Sequence, residues 1–150
     1  MPKNNPLRLI IDTNLWISFI ISKSLYKIDF LILSGNATLL LSDDLVVEME
    51  EVIAKPKLRK YFPVDALSEM LMAFESYIEL VTVTSTVDVC RDPKDNFLLA
   101  LAKDGSADYL LTGDLDLLVV QQYEKTEITT ITKFLNKLKW CLTPLTQVNW

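Results

Sequence analysis

Five short apolar segments alternate with longer, helix-like segments, and no other feature of the chain restricts the fold as strongly. The first of them, residues 7–11, is almost continuously apolar, as a strand buried on both faces requires. The remaining strand-like segments are 37–41, 79–84, 108–112 and the weaker 127–131. Strands separated by helices favour a parallel or mostly parallel sheet with helices on both faces. The 150 residues fit one domain, and no interdomain linker is recognisable.

Start and stop signals place helices between these strands. A helical stretch follows the first strand and ends at Gly35, which suits the left-handed position after a helix. Ser42 begins the next helix and Pro56 ends it. Asp92 and Pro93 begin another, as an acidic cap followed by proline at the first helical position. The predicted helices are about 14–34, 42–54, 64–77, 92–102, 115–122 and 133–139, and residues 141–150 are left unassigned.

The absence of histidine narrows the chemistry. It removes Ser-His-Asp and Cys-His nucleophile systems, histidine acid/base catalysis and histidine-ligated zinc. Cys90 and Cys141 stand in no paired motif, so neither a disulfide framework nor a cysteine zinc site is expected. The N-terminal apolar stretch is interrupted by Asp12 and Asn14 and has no cleavage site. We therefore expect a cytoplasmic protein without a membrane segment.

Four acidic residues from distant parts of the sequence fall at one edge of the predicted sheet. Asp12 directly follows the first strand and Asp114 follows the fourth. Glu48 lies one turn into the helix after the second strand, and Asp95 lies in the first turn of the helix before the fourth. Ligands bind outside the carboxyl ends of such strands. Clustered carboxylates require a neutralising cation, and oxygen ligands without histidine or cysteine favour Mg²⁺ or Mn²⁺.

One or two such ions can promote the hydrolysis of phosphodiester bonds. The net charge of −5 argues against broad electrostatic attraction to nucleic acid. However, the four acids supply most of that charge, and bound metal would reverse its sign locally. The net charge is therefore weak evidence against a polyanionic substrate.

Two choices between neighbouring acids stay open on periodicity alone. Glu48 and Glu50 flank the apolar face of their predicted helix on opposite sides, whereas Glu51 points away from that face. Either Asp114 or Asp116 could be a metal ligand while the other caps the next helix. The sequence positions do not separate the two members of either pair.

Structural roles compete with metal binding at three further positions. Asp12 could simply end a strand, but the adjacent threonine and asparagine add oxygen ligands and favour metal binding. Asp92 is better interpreted as a helix cap than as a ligand because proline follows it. Asp95 could equally be a ligand or complement the dipole of its helix.

A basic run lies between the second and third predicted helices. Its charged members could bind phosphates, although such a run is usually a solvated face, which is the preferred interpretation. They are Lys55, Lys57, Arg59 and Lys60.

Four motifs in order resemble those of PIN-domain proteins. Residues 9–14 (LIIDTN) resemble the first strand and acid of that family, and residues 45–49 (LVVEM) resemble its second motif, which selects Glu48 over Glu50. Residues 91–96 (RDPKDN) and 107–118 (ADYLLTGDLDLL) resemble the third and fourth motifs. The similarity extends from about residue 7 to residue 138. Each motif is short, but the ordered set at these spacings is specific.

This resemblance implies a three-layer α/β/α fold with a five-stranded parallel sheet. It implies hydrolysis of RNA with one or two Mg²⁺ or Mn²⁺ ions held by matching acids. The implied ligands are Asp12, Glu48, Asp95 and Asp114, with Asp116 as a further ligand, and Asn14 and Thr112 are implied as supporting groups. Many small members are toxins of toxin–antitoxin pairs, and many dimerise, so an antitoxin and a second copy of the chain are the expected partners besides RNA.

Two other functions fit parts of this pattern. A phosphatase of the haloacid-dehalogenase type needs an aspartate two residues after its nucleophile, where this chain has Asn14. A non-catalytic PIN-like module would bind RNA or a protein without cutting, and the intact set of acids disfavours it. We therefore predict a metal-dependent ribonuclease.

Overall fold

The computed structural model describes residues 5–22 and 28–146, the last eight of these by their backbone alone. Its strands form one sheet in the order β3-β2-β1-β4-β6-β5. All neighbouring strands are parallel except β5 and β6, which are antiparallel. The strands are β1 (Leu7–Ile11), β2 (Ala37–Leu41), β3 (Ile78–Leu80), β4 (Tyr109–Leu111), β5 (Gln122–Tyr123) and β6 (Thr126–Thr129).

Helices precede or follow each parallel strand and flank the sheet. The α-helices are α1 (Thr13–Ser22), α2 (Ile28–Leu33), α3 (Asp43–Ile53), α4 (Pro56–Arg59), α5 (Ala66–Ala73), α6 (Asn96–Asp104), α7 (Leu115–Leu118) and α8 (Ile131–Thr146). Two 3₁₀ turns, Glu75–Tyr77 and Pro93–Asp95, lead into β3 and α6. None of the described helices is long and apolar enough to cross a membrane.

The predicted α/β architecture with a parallel central sheet is confirmed, and one strand adds to it. Five strands are parallel, as predicted, and β5 adds a short antiparallel edge. Residue 122 was predicted to end a helix, but α7 stops at Leu118. Gln121 and Glu124 then adopt positive φ values of 66° and 52°. Non-glycine residues rarely adopt such values. Because neither position is a glycine, the sequence gives no turn signal for this hairpin.

Other differences concern helix boundaries. The predicted helix over 64–77 is shorter, because α5 is followed by a 3₁₀ turn that leads directly into β3. The predicted helix over 133–139 extends to Thr146, so the unassigned tail is helical up to that residue, and residues 147–150 lie outside the described residues. The predicted helix over 14–34 corresponds to α1 and α2, and residues 23–27 lie outside the description. Gly35 has φ of +80°, as its predicted position after a helix requires.

The order of the strands in the sheet changes direction at β1. From β1 the chain goes to β2 and β3 on one side, whereas β4 and β6 lie on the other. A ligand crevice forms at the carboxyl ends of strands where the order reverses in this way. Ile11 of β1 is paired with Leu111 of β4, so Asp12 and Thr112 follow the two strands side by side at the reversal point.

Candidate functional site

A cavity of about 200 Å³ lies at the reversal point between β1 and β4. It is lined by Asp12, Thr13, Asn14, Glu48, Val52, Lys55, Asp95, Leu98 and Asp114. The structure thus brings together the four acids that the sequence singles out, along with Asn14 and one member of the basic run. Six other residues singled out from the sequence are not part of its lining, namely Asp92, Thr112, Asp116, Lys57, Arg59 and Lys60.

Asp12 is fixed in the wall of the cavity by hydrogen bonds on both carboxylate oxygens. Its Oδ1 accepts from the backbone N–H of Leu15 at 3.0 Å and so caps the first turn of α1, while Oδ2 accepts from the hydroxyl of Thr112. Only 5% of Asp12 is exposed, and burial raises the pKa of its carboxyl despite these hydrogen bonds. A negative charge is therefore costly at Asp12 without a cation nearby.

Thr112 lies behind the cavity and connects two of its acids. Its hydroxyl oxygen accepts from the backbone N–H of Asp114 at 3.0 Å while its proton is donated to Asp12. The side chain is buried. Thr112 consequently sets the relative position of the acids that follow β1 and β4.

Glu48 reaches the cavity from α3, and the hydroxyl of Thr13 donates a hydrogen bond to it. The helix begins at Ser42, whose hydroxyl accepts from the N–H of Leu45 at 3.2 Å. Glu50 is exposed and does not line the cavity. Of the two glutamates that periodicity left open, the tertiary structure thus places only Glu48 in the lining of the cavity.

Asp95 occupies the cap position of α6 but makes no capping hydrogen bond there. Its Oδ2 is buried and has no hydrogen-bond partner among the described residues. Burial is the main cause that raises the pKa of Asp95 to about 7. The adjacent Asp114, to which a protonated Asp95 can donate, contributes next, followed by the charges of Asp92 and Glu48. A proton or a cation is needed to satisfy this oxygen.

Asp114 combines two positions that the sequence treats as alternatives. Its carboxylate accepts from the N–H of Asp116 at 2.8 Å and caps α7, and it also lines the cavity. Asp116 is turned to Arg91, whose Nε lies 2.7 Å from its Oδ1. The cap of the short helix is thus Asp114, whereas Asp116 forms an ion pair.

A second group of carboxylates adjoins the cavity through Asp95. Oxygen atoms of Asp92, Asp95 and Asp116 lie within 4.8 Å of one another. Asp92 accepts from the N–H of Lys94 at 3.1 Å and caps the 3₁₀ turn before α6, as the adjacent proline predicts. Asp95 is therefore shared between the acids of the cavity and this second group. No local pattern in the sequence links Arg91 to an acid 25 residues later, so its pairing with Asp116 is visible only in the structure.

These residues fit a divalent cation. The cavity offers carboxylate, hydroxyl and amide oxygens, which are the ligands of Mg²⁺ and Mn²⁺ in proteins. The Oδ2 of Asp95 is buried and has no partner in the described part of the chain, and the pKa values of Asp12 and Asp95 are raised. Both observations are expected for carboxylates that are packed together without a counter-ion. The fold and the site define an α/β protein with an acidic site at the carboxyl edge of its sheet, whose candidate metal ligands are oxygen atoms.

A PIN-domain family model matches residues 8–116, and the chain belongs to the PIN-domain family, whose members are generally nucleases. It is 30% identical over 122 residues to "Uncharacterized protein MJ1680" of Methanocaldococcus jannaschii, covering 79% of this chain and 78% of that protein. The fold is also similar to a chain in the crystal structure of VapBC2 from Rickettsia felis bound to a DNA fragment from their promoter. That similarity has a TM-score of 0.56 with 14% identity, and it covers 81% of this chain and 97% of the other.

Proposed function

We propose that this protein is a ribonuclease that hydrolyses phosphodiester bonds of single-stranded RNA with Mg²⁺ or Mn²⁺. One observation carries the proposal: Asp12, Glu48, Asp95 and Asp114 come from four separate segments and line one cavity. A purely structural role for four acids would not require them to converge, since their mutual repulsion destabilises the fold.

These four carboxylates would hold one or two ions, with Asp116 as a further ligand reached through Asp95. When bound, such ions supply an activated water and offset the charge that develops on the phosphate. Thr112 keeps Asp12 in place through its hydroxyl, and Thr13 does the same for Glu48. Asn14 lines the cavity with an amide that can orient a water or an RNA oxygen.

The biological role that we propose is that of a toxin held inactive by an antitoxin protein in the cytoplasm. The family membership and the likeness to a chain of the VapBC2 structure support it. A homodimer is part of the same proposal. Co-purification of the tagged protein with the product of a neighbouring small gene, and loss of ribonuclease activity in that complex, would test the role.

Incubation of the purified protein with single-stranded RNA and Mn²⁺ tests the enzymatic proposal. Cleavage products are expected with Mn²⁺ and none with EDTA. Asp12→Asn provides the matched control, because it keeps the shape of the side chain and removes its charge. Cleavage that survives EDTA would contradict metal dependence, whereas an RNA mobility shift without cleavage would favour the non-catalytic binding module.

The phosphatase alternative has little support at the site. The general-acid position that it requires is Asn14, which lines the cavity but cannot donate a proton as a carboxylic acid does. The same preparation should therefore release no phosphate from a phosphomonoester.

A further inference from the structure

We infer that Lys55 binds a phosphate of the substrate backbone, next to the phosphodiester that is cut, and is a phosphate-contacting residue of this site. The inference rests on the proposed ribonuclease function. The sequence alone makes Lys55 one of four basic residues in a run, and such a run is usually a solvated face. The structure separates it from the other three.

Lys55 lies two residues after the end of α3 and lines the cavity together with two residues of that helix. Glu48, Val52 and Lys55 all line the cavity, and they are spaced four and then three residues apart. Glu48 and Val52 lie above one another on one face of α3, and Lys55, with an extended backbone at φ −62° and ψ 135°, follows the end of that helix. The other basic residues, Lys57, Arg59 and Lys60, are not part of the lining, and Lys60 lies over the ring of Tyr61 instead.

The backbone around Lys55 is held at both of its polar groups. Its N–H donates to the carbonyl of Val52 at 3.2 Å, and its own carbonyl accepts from the N–H groups of Leu58 and Arg59 at 2.9 and 3.1 Å. Pro56 follows at the first position of α4 and fixes the direction of the chain. The base of the lysine side chain is thus anchored at the rim of the cavity, while its ammonium group stays adjustable.

The charges of the cavity explain why a free cation is useful there. Its lining contains four carboxylates and one cation, Lys55, which forms no ion pair with any residue that the structure describes. One divalent ion would leave two of the four negative charges of the cavity uncompensated. Lys55 compensates one of these two, so one excess negative charge would remain. A phosphodiester entering such a site is repelled, and an ammonium group at the rim offsets this repulsion as a point charge on a phosphate oxygen.

Kinetics of RNA cleavage with three variants test the inference. Lys55→Met removes the charge and keeps the length of the side chain, Lys55→Arg keeps the charge, and Lys57→Met removes a neighbouring charge outside the cavity. We expect kcat/KM to fall about 10- to 100-fold in Lys55→Met, the range of a lost hydrogen bond to a charged group. Lys55→Arg should recover a large part of this loss, and Lys57→Met should stay within about twofold of wild type.

Two readouts exclude a merely structural effect. The dissociation constant for Mn²⁺, measured by calorimetry, should be unchanged or lower in Lys55→Met, because a like charge has been removed from the metal site. Weaker Mn²⁺ binding would mean that the substitution damages the carboxylates, and it would overturn the inference. Equal loss of cleavage in Lys55→Met and Lys57→Met would also overturn it, since the effect would then be diffuse electrostatics.

A second experiment does not depend on RNA cleavage, and it tests Lys55 even if the proposed function fails. It measures the binding constant of a short single-stranded DNA in the presence of Mn²⁺ at several salt concentrations. The slope of log K against log salt should decrease by about 0.7 in Lys55→Met, the value for one phosphate contact on a single strand, and should not change in Lys57→Met. An unchanged slope in Lys55→Met, or no binding of the DNA by wild type, would contradict a phosphate contact at Lys55.

Discussion

The guanidinium of Arg91 is paired with the carboxylate of Asp116, with Nε 2.7 Å from Oδ1. Oxygen atoms of Asp116 and Asp95 lie within 4.8 Å of each other, and Asp95 lines the cavity while Asp116 does not. In the proposed metal site, Arg91 would therefore compete with the ion for Asp116. Both side chains are partly exposed, so the pair contributes at most about 1 kcal/mol to stability.

Arg91→Ala should strengthen the binding of Mn²⁺ by up to about fivefold, because it frees Asp116 at the cost of a weak surface ion pair. Titration calorimetry of the metal-free protein measures this constant. Lys137→Ala is the matched control, since Lys137 pairs with Glu127 and neither residue lines the cavity. Weaker Mn²⁺ binding in Arg91→Ala would show instead that Arg91 holds Asp116 in the geometry that the ion needs.

Glu48→Gln should lower the rate of RNA cleavage by roughly 10²-fold or more, the magnitude expected for a lost metal ligand or electrostatic support. Glu50→Gln, two residues away on the exposed side of α3, should cleave RNA at the rate of wild type. Both variants should fold, since neither side chain is fully buried. A loss of activity in Glu50→Gln alone would show that the second motif is aligned to the wrong residue.

Asp114→Asn and Asp114→Ala separate the two roles of this side chain by thermal melts in EDTA and in excess Mn²⁺. Asparagine is as good a helix cap as aspartate, so Asp114→Asn should melt in EDTA at or above the wild-type temperature, because one repelling charge is gone. Asp114→Ala loses the cap of α7 and should be less stable by about 1 kcal/mol.

Mn²⁺ at a hundred times its dissociation constant should stabilise wild type by about 2.7 kcal/mol, or roughly 5–10 °C for a chain of this size. Both Asp114 variants should show a much smaller rise. A full rise in Asp114→Asn would mean that Asp114 is a helix cap and not a ligand.

The stability of the metal-free protein should depend on the pKa of Asp95, which is about 7 in the folded protein against an ordinary value of 3.8. The folded state binds this proton more tightly than the unfolded chain, so the free energy of unfolding should fall as pH rises from about 4 to about 7. Glu79 and Asp104 have lowered pKa values, so their ionised forms stabilise the folded protein. This contribution is lost only as pH falls below the ordinary pKa values of their carboxyl groups.

Urea denaturation in EDTA between about pH 5 and about pH 8 measures this dependence, and Asp95→Asn should remove most of it. A smaller pH dependence of the free energy of unfolding should remain because of Asp12, whose pKa is also raised. Saturating Mn²⁺ should flatten the wild-type profile, because the ion replaces the proton. The same slope in Asp95→Asn and wild type would contradict the assignment.

The sequence determined the parts of this protein that depend on local pattern. Continuous apolar runs predicted β1, β2 and β4, and their alternation with helices predicted a parallel α/β sheet. Both predictions were possible because a strand buried on both faces and a helical period of 3.6 residues leave recognisable patterns in the sequence. The positions of Asp12 and Asp114 after two strands were also sufficient to place them at one edge of the sheet.

Helical periodicity left open which of two nearby acids enters the cavity, and the family resemblance selected Glu48. The tertiary structure shows that Glu48 lines the cavity and that Glu50 does not. Glu48 and Glu50 are equivalent on a helical wheel, and they differ because α3 packs so that Thr13 and the cavity meet Glu48. Asp114 caps its helix and lines the cavity at once, which a choice between a cap and a ligand could not anticipate. Likewise, Arg91 pairs with Asp116 across 25 residues, and Lys55 alone of its basic run lines the cavity. The physical reason is common to all of these cases: local periodicity fixes the direction of a side chain relative to its own helix or strand, whereas its partners depend on how separate elements pack.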